Sequence, residues 1–334
     1  MRWINFILIG LLLTGCFKED IPVPPYTSPE GIESNTAAVG QYYENQVFFD
    51  LESNTFVKTI DRTSWDLAFE TQPNGHYIFL NGANLMRVIR TGTTDFEAVT
   101  SHANSDWFYD NSNGVVEELA IGNWANENSG VNYTSKKEVY IIDRGYTPLG
   151  EKRGEVKFQL LGLTDGNYTL KFGPLNNSIV YEVTLTKDDR YNFVHLCFDD
   201  GGKTVFAEPL KETWDLVFTQ YTAKVTQITT GIVEDYSVNG VLLNRNRVEA
   251  TTEFAKPFNE IVYSDLENYN FTNQRDIIGY EWKDFDFDSN TYSIFDNHTY
   301  LVKTQEGNYY KLRFTGFVNS EGKRGFPSFE FGKF

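Results

Sequence analysis

SWDLAF at residues 64–69 and TWDLVF at residues 213–218 are two copies of one pattern, Trp-Asp-Leu-x-Phe. Each copy follows a Phe-Asp pair, Phe49-Asp50 in the first case and Phe198-Asp199 in the second. Recurrence of the same residues in the same order is typical of an internal duplication. The chain is therefore predicted to contain two related units.

Further similarities follow each copy in the same order. The matched segments are 79–82 and 237–240, 121–124 and 278–282, 139–142 and 299–302, and 156–160 and 310–314. In the first of these pairs, Asn81-Gly82 aligns with Asn239-Gly240. Loops between matched segments differ in length, as loops tolerate insertions. We place the two units at residues 39–185 and 186–334.

The matched segments have the period of β-strands. In the segment 310–314, Tyr310, Leu312 and Phe314 alternate with Lys311 and Arg313, so that one face is apolar and the other polar. Asn-Gly and Asp-Gly pairs separate such segments and favour hairpin turns. Aromatic residues make up 16% of the chain, which also favours strands. An all-β fold of two tandem antiparallel units is predicted.

The N-terminus has the features of an export signal. Residues 1–15 combine Arg2, a short apolar core and a small-residue site, and Leu13-Thr14-Gly15-Cys16 has the form of a bacterial lipobox. Cys16 is therefore predicted to be the lipidated first residue of the mature protein. The residues Lys18, Glu19 and Asp20 resemble the short signal that follows the lipidated cysteine in surface-exported lipoproteins of Bacteroidetes-type bacteria.

Residues 16–38 are rich in proline and small polar residues. Such a composition does not support a helix or a paired strand, and it predicts a tether. We therefore expect an outer-membrane protein that is anchored by its lipid and exposed at the cell surface.

Charge and cysteine content exclude some functions. The formal net charge is −17, whereas nucleic-acid binding requires clustered basic residues. After Cys16 only Cys197 remains, within the apolar run 193–198, and a buried, inert thiol is predicted there. The sequence has no phosphate-binding glycine loop, G-x-S-x-G or H-E-x-x-H motif, and the protein is predicted not to be an enzyme.

The ordered C-terminal motifs resemble those of the HmuY-like haem-binding lipoproteins. The matching segments are 213–221, 236–244, 309–314 and 325–331, and the repeat extends the resemblance to the N-terminal unit. The resemblance implies an all-β lipoprotein of the outer membrane that captures haem or a related porphyrin. It also implies delivery of the haem to a TonB-dependent receptor for iron acquisition.

The resemblance implies two histidine ligands for haem iron, one after the central hairpin and one shortly after Trp282. The sequence has no histidine or methionine between His195 and His298, so both zones of the C-terminal unit lack these ligands. When the repeat is used to transfer the first zone to the N-terminal unit, it falls near His102. His102 is therefore the candidate haem-binding residue.

The other candidate ligands have simpler interpretations. His195 lies in an apolar strand and is predicted to be a core residue, while His76 and His298 are predicted at a turn and a strand edge. Met86 could ligate iron but fits a core position better. No metal site besides haem iron is predicted.

Two acidic motifs have structural interpretations. Asp284, Asp286 and Asp288 resemble the start of a calcium loop but lack its glycine and its final acid, so a strand with outward acids is preferred. Asp66 and Asp215 recur in both units and are predicted to accept hydrogen bonds from backbone amides.

Two alternative functions stay open at this stage. The protein could be a non-haem accessory or scaffold lipoprotein of a surface receptor complex. It could also bind glycans by stacking them on Trp107 or Trp124.

Overall fold

The computed structural model describes residues 31–103, 106–129, 131–227, 229–286, 288–289 and 291–334. The predicted signal peptide at residues 1–15, the lipidation site Cys16 and the export signal of Lys18, Glu19 and Asp20 lie outside these ranges. Within them, no helix has both the length and the apolar character needed to cross a membrane.

The regular structure of the described chain is mainly antiparallel strands, as predicted. The strands are β1 (Glu33–Thr36), β2 (Asn45–Asp50), β3 (Thr55–Asp61), β4 (Leu67–Glu70), β5 (Ile78–Leu80), β6 (Arg87–Arg90), β7 (Ala125–Ser129), β8 (Asn132–Ser135), β9 (Val139–Asp143), β10 (Glu155–Thr164), β11 (Asn167–Gly173), β12 (Tyr181–Thr186), β13 (Phe193–Cys197), β14 (Lys203–Val205), β15 (Leu216–Thr226), β16 (Val233–Leu243), β17 (Glu249–Glu253), β18 (Lys283–Asp286), β19 (Thr291–Ile294), β20 (Thr299–Lys303), β21 (Tyr309–Val318) and β22 (Arg324–Lys333).

Short 3-10 helices occupy some of the connections. They are Arg62–Ser64, Gly82–Asn84, Val116–Glu118, Asp199–Gly201, Phe258–Glu260 and Tyr263–Asn268.

Each half of the chain contributes one large sheet, and the two sheets have matching orders. In the N-terminal half the strand order is β6-β9-β10-β11-β12. β8 also pairs with β10, and β7 pairs with β8. In the C-terminal half the order is β17-β20-β21-β22-β1. The correspondence extends to register, because Tyr140 lies opposite Phe158 in one sheet and Tyr300 lies opposite Leu312 in the other.

The last strand of the C-terminal sheet comes from the start of the chain. Residues 33–36, which were assigned to the tether, instead form β1 and pair with β22. The tether prediction is wrong for this part because the prolines that prevent pairing end at Pro29. Ala37 and Val39 follow β1 and are fully buried.

Two smaller sheets join the halves by exchange of strands. β13, from the C-terminal half of the sequence, pairs with β4, and β2, from the N-terminal half, pairs with β15. Val194 and Leu196 consequently lie in the core of the N-terminal half, whereas Val47 and Phe49 lie in the core of the C-terminal half. Neither half of the sequence buries its own core without a strand of the other.

The repeated aspartates hold the exchanged strands in place. The Asp66 carboxylate accepts a hydrogen bond from the backbone N–H of Phe198 at 2.8 Å, just beyond β13. The Asp215 carboxylate accepts one from the N–H of Leu51 at 2.9 Å, just beyond β2. The prediction that these acids bind backbone amides is confirmed.

The structure corrects one alignment within the repeat. The counterpart of Asn81 is Asn244, since each side-chain amide donates to the carbonyl oxygen of the tryptophan in its own copy, at 2.8 and 2.6 Å. Each backbone N–H also donates to the carbonyl oxygen of the neighbouring aspartate, Asp66 or Asp215. Asn239, chosen from its Asn-Gly pair, lies inside β16 opposite Gln220 and makes neither contact.

Glu52 connects the β2–β3 turn to the C-terminal sheet. Its carboxylate accepts hydrogen bonds from Thr304, Asn308 and Tyr310 at 3.1, 2.6 and 3.0 Å, and it pairs with Lys333 at 3.2 Å. Burial alone would raise the pKa of Glu52, but these donors together lower it below its usual 4.5.

We expect Glu52→Gln to lower the free energy of unfolding at pH 7 by about 1–2 kcal/mol, because charge-assisted hydrogen bonds are lost. A carboxyl with a depressed folded-state pKa stabilises the protein above its unfolded pKa, and this contribution disappears as the pH falls below 4.5. Urea denaturation should therefore show a difference at pH 7 that shrinks towards pH 3. A constant difference would contradict the assignment.

Candidate functional site

Two buried lysines hold equivalent loops over the two large sheets. Lys157 on β10 donates to the carbonyl oxygens of Phe96 and Val99 at 2.7 and 3.1 Å. Lys311 on β21 donates to those of Phe258 and Ile261 at 3.0 and 3.1 Å. Burial lowers the pKa of both amines. The N-terminal loop borders a cleft of about 390 Å³ through Val99, and a second cleft of about 400 Å³ is lined mainly by the C-terminal half.

The N-terminal cleft contains His102, the candidate ligand. Its volume is about 390 Å³, and Ile89, Val99 and Phe108 are among its walls. Both imidazole nitrogens already have polar neighbours: Nε2 lies 3.2 Å from the Glu155 carboxylate and Nδ1 lies 3.3 Å from a backbone oxygen. Iron ligation through Nε2 would require His102 to leave Glu155.

The C-terminal cleft lies between the β15–β16 hairpin, the end of β17 and residues 274–281. Its volume is about 400 Å³, within the usual range for small-molecule sites. The walls include the aromatic residues Phe254, Tyr221, Tyr280 and Tyr300. The ring of Phe254 is 43% exposed, so a flat apolar ligand can contact it.

His298 stands beside this cleft with its ring held by two phenylalanines. The phenyl ring of Phe254 stacks on the imidazole at 4.0 Å and that of Phe295 at 4.8 Å. Nδ1 lies 3.2 Å from the side-chain oxygen of Asn297, while Nε2 has no hydrogen-bond partner among the described residues. Stacking of this kind covers the faces of the ring and leaves its edge, which carries the two nitrogens, outside the stack.

The C-terminal cleft is lined by one basic residue, Lys224, and by two acidic residues, Asp276 and Glu281. Lys224 lines the cleft and pairs with Asp235 at 3.1 Å in a partly exposed ion pair. Burial lowers the pKa of His298, while the charge of Glu281 opposes the shift, so the imidazole is neutral at pH 7. Burial also raises the pKa of Tyr300, whose phenol stays protonated.

The other predicted histidine and sulfur positions are structural. His195 is 4% exposed and Met86 is 1% exposed, and both lie in the protein interior as predicted. Cys197 is buried, and burial raises the pKa of its thiol to about 11, so it is mostly protonated at neutral pH. His76 stacks on Tyr77 and Tyr133 at 4.4 and 4.1 Å.

The tryptophans proposed as glycan platforms are covered. Trp124 is 1% exposed and its indole N–H donates to a backbone oxygen at 2.7 Å, so the prediction of an exposed platform at this position is wrong. Trp124 directly precedes β7 and lies in the core of the N-terminal half, which its sequence position could not show. Trp107 is half-buried, with the Arg87 guanidinium 4.4 Å above the ring and His102 against its edge.

The acidic motif after Trp282 forms a hairpin. Lys283–Asp286 is β18, with Asp284 and Asp286 exposed and Phe285 packed against Tyr292. The Asp286 carboxylate accepts hydrogen bonds from the N–H groups of Asp288 and Ser289. Its oxygens therefore close the turn.

Sequence reasoning did not select His298. Phe295 lies three positions before it, which is a weak local signal, but its closer partner Phe254 comes from a different strand end. Only the fold brings them together.

These features are those of an all-β protein with open clefts in the described chain, one of which has the His298 ring stacked against its wall residue Phe254. The model of the HmuY protein family matches residues 42–331, and the chain belongs to that family. The match spans both halves, in agreement with the shared cores.

Solved structures with related folds have low sequence identity. Apo PinO from Porphyromonas gingivitis is 10% identical, with a TM-score of 0.30, over 92% of this chain and 98% of that one. An HmuY-like protein from Bacteroides vulgatus is 12% identical, with a TM-score of 0.24, over 90% and 91%. The apo HmuY analog from Tannerella forsythia is 13% identical, with a TM-score of 0.20, over 90% and 95%. No curated protein matches the chain.

Proposed function

We propose that this protein is a non-enzymatic, lipid-anchored binding protein that holds haem or a related porphyrin in the C-terminal cleft. The observation that carries the proposal is the position of His298, whose ring stacks on Phe254 in the wall of an aromatic cleft of about 400 Å³. Membership of the HmuY family supports the class of ligand.

The residues of the cleft fit the chemistry of haem. Neutral histidine is a common axial ligand of haem iron, and His298 is neutral at pH 7. Phe254 and Tyr280 offer apolar surface to a porphyrin ring, and Lys224 can pair with a propionate. When bound, haem supplies an iron centre with an open coordination position. The stacked phenylalanines fix the imidazole so that little side-chain entropy is lost on binding.

A single histidine would coordinate the haem iron. His102 lies in the other half, and His195 is enclosed in the interior. We therefore propose that His298 is the single histidine ligand, in place of the pair that the family resemblance implies. His102 is proposed to have a structural role, through its contact with Glu155.

A lipid anchor and an outer-membrane receptor would complete the haem-uptake function. Lipid attached to Cys16 would keep the protein at the outer membrane, and Lys18, Glu19 and Asp20 would direct it to the cell surface. Captured haem would then pass to a TonB-dependent receptor. Metabolic labelling with a radioactive fatty acid tests the anchor: label should enter the wild-type protein and be absent from Cys16→Ser.

Absorption spectroscopy tests the ligand. Ferric haem titrated into the chain after Cys16, at micromolar concentration, should give a sharp, shifted Soret band with one equivalent bound. Iron-free protoporphyrin should bind more weakly, since it lacks the axial bond. An unchanged Soret band would contradict haem binding. If such a protein still co-purified with a membrane receptor, the accessory role would be favoured.

A further inference from the structure

A further cavity, apart from the two clefts, lies between the two smaller sheets, where the halves exchange strands. Its volume is about 90 Å³, and its walls include Phe79, Phe193 and His195 from one sheet and Phe48 and Thr219 from the other. Tyr221, Asn111 and Ser112 line both this cavity and the C-terminal cleft, and so lie between them.

His195 gives this cavity an unsatisfied polar group. The residue is 4% exposed, and its Nδ1 is buried without a hydrogen-bond partner in the described part of the chain. The ring is held by edge contacts to Trp65 at 4.8 Å and to Phe193 at 6.0 Å. Buried polar atoms are nearly always hydrogen-bonded, and those that are not point to a water, an ion or a ligand.

The cavity wall has one acidic and one basic residue, Asp110 and Arg275, each of which bonds to backbone groups. Asp110 accepts hydrogen bonds from the N–H groups of Leu80 and Ala120 at 2.6 and 2.8 Å. Arg275 donates to the carbonyl oxygen of Leu243 at 3.4 Å. Burial lowers the pKa of His195 to about 3, so its imidazole is uncharged. These conditions favour an uncharged ligand.

The size and walls restrict the ligand further. A buried water occupies about 10–15 Å³ in this measure, so 90 Å³ admits roughly six to nine atoms. The rings of Phe48, Phe79 and Phe193 suit a planar apolar group, and the imidazole of His195, which makes no hydrogen bond in the described part of the chain, suits a hydrogen bond to a polar substituent.

We infer that this cavity binds a small, neutral, single-ring aromatic molecule that carries one hydroxyl group, with the hydroxyl hydrogen-bonded to His195. This site is separate from the porphyrin cleft and does not depend on haem binding. Phenol is the probe of this class.

Isothermal titration calorimetry with phenol and benzene tests the inference on the chain after Cys16. Phenol should bind at millimolar concentration or below, about tenfold more tightly than benzene, because only phenol reaches His195. His195→Leu should reduce phenol affinity to that of benzene, and His195→Gln, which keeps a polar group, should restore part of the difference.

Filling the cavity provides the matched control. Ala207 and Ala68 line it and are each 2% exposed, so Ala207→Leu or Ala68→Val should abolish binding of both probes. Circular dichroism identifies which filled variant is folded and can be interpreted. Absence of phenol binding in the wild-type protein, or unchanged phenol binding in a folded, filled variant, would overturn the inference.

Discussion

Replacement of Asp66 by asparagine is expected to lower the free energy of unfolding by about 3 kcal/mol, because it removes the buried carboxylate shared by Arg144 and Arg153 and leaves them only the more exposed Asp199. The Asp66 carboxylate is 0% exposed and receives Arg144 at 3.1 and 2.9 Å and Arg153 at 2.8 Å. It also holds the N–H of Phe198, next to an exchanged strand. Urea denaturation at pH 7 measures the change.

Asp215 provides the matched control in the other half. It has the same position in the repeat and the same kind of backbone partner, Leu51, but makes no ion pair with a described basic residue. Burial raises its pKa from 3.8 to about 8, so the carboxyl is protonated at neutral pH. Asp215→Asn should cost much less than Asp66→Asn at pH 7, because ionisation of Asp215 stabilises only the unfolded wild-type chain and the asparagine variant lacks this effect.

The pH dependence of Asp215→Asn has a definite sign. Between pH 3.8 and about 8 the folded protein retains a proton on Asp215 that the unfolded chain releases. Wild-type stability relative to the asparagine variant should therefore be greatest below this window and fall as the pH rises through it. Equal costs for Asp66→Asn and Asp215→Asn at pH 7 would contradict the proposed asymmetry.

The second large effect is expected at His298. His298→Ala should weaken haem binding by about a hundredfold, equivalent to about 2.8 kcal/mol, because the axial bond is lost. The Phe254 and Phe295 rings would remain, so residual binding through the apolar cleft should persist. A Soret titration of both proteins gives the ratio of dissociation constants.

His102→Ala is the control from the N-terminal cleft. This histidine contacts Glu155 and Trp107, far enough from the C-terminal cleft that no lining residue is shared. Haem affinity should be unchanged within a factor of about two, although stability can fall slightly. Loss of haem binding in His102→Ala, with His298→Ala unaffected, would move the site to the other half.

The strands could be predicted from sequence, but their partners could not. Alternation such as that of Tyr310, Leu312 and Phe314 indicates which face is buried, and it does so correctly. It contains no information about which strand supplies the next backbone amides. The pairing of β2 with β15 and of β13 with β4 therefore appears only in the fold.

The repeat also shows why short motifs mislead. Asn239-Gly240 resembles Asn81-Gly82 in letters, yet Asn244 performs the role of Asn81 because it follows the strand that pairs with the Trp-Asp strand. Proline content predicted a tether up to residue 38, but Glu33–Thr36 pair with the edge of β22, which composition could not indicate.

The family resemblance suggested the class of molecule that the candidate site would bind. It did not identify which residue would coordinate the iron. The role proposed for His298 depends on its stacking against Phe254, which directly follows β17 and lines the cleft. His102 was favoured by its place in the repeat, and the structure instead engages both of its nitrogens. Alignment of the two repeat copies predicts the positions of strands well, but it predicts the roles of loop side chains poorly.

The electron paramagnetic resonance spectrum of the ferric haem complex tests most directly whether His298 alone holds the iron. The wild-type protein should give a high-spin signal, as expected for one histidine, and added imidazole should convert it to a low-spin bis-imidazole signal. His298→Ala should lose the protein-derived signal. A low-spin, two-histidine spectrum from the wild-type protein without imidazole, or a spectrum that His298→Ala leaves unchanged, would contradict the account.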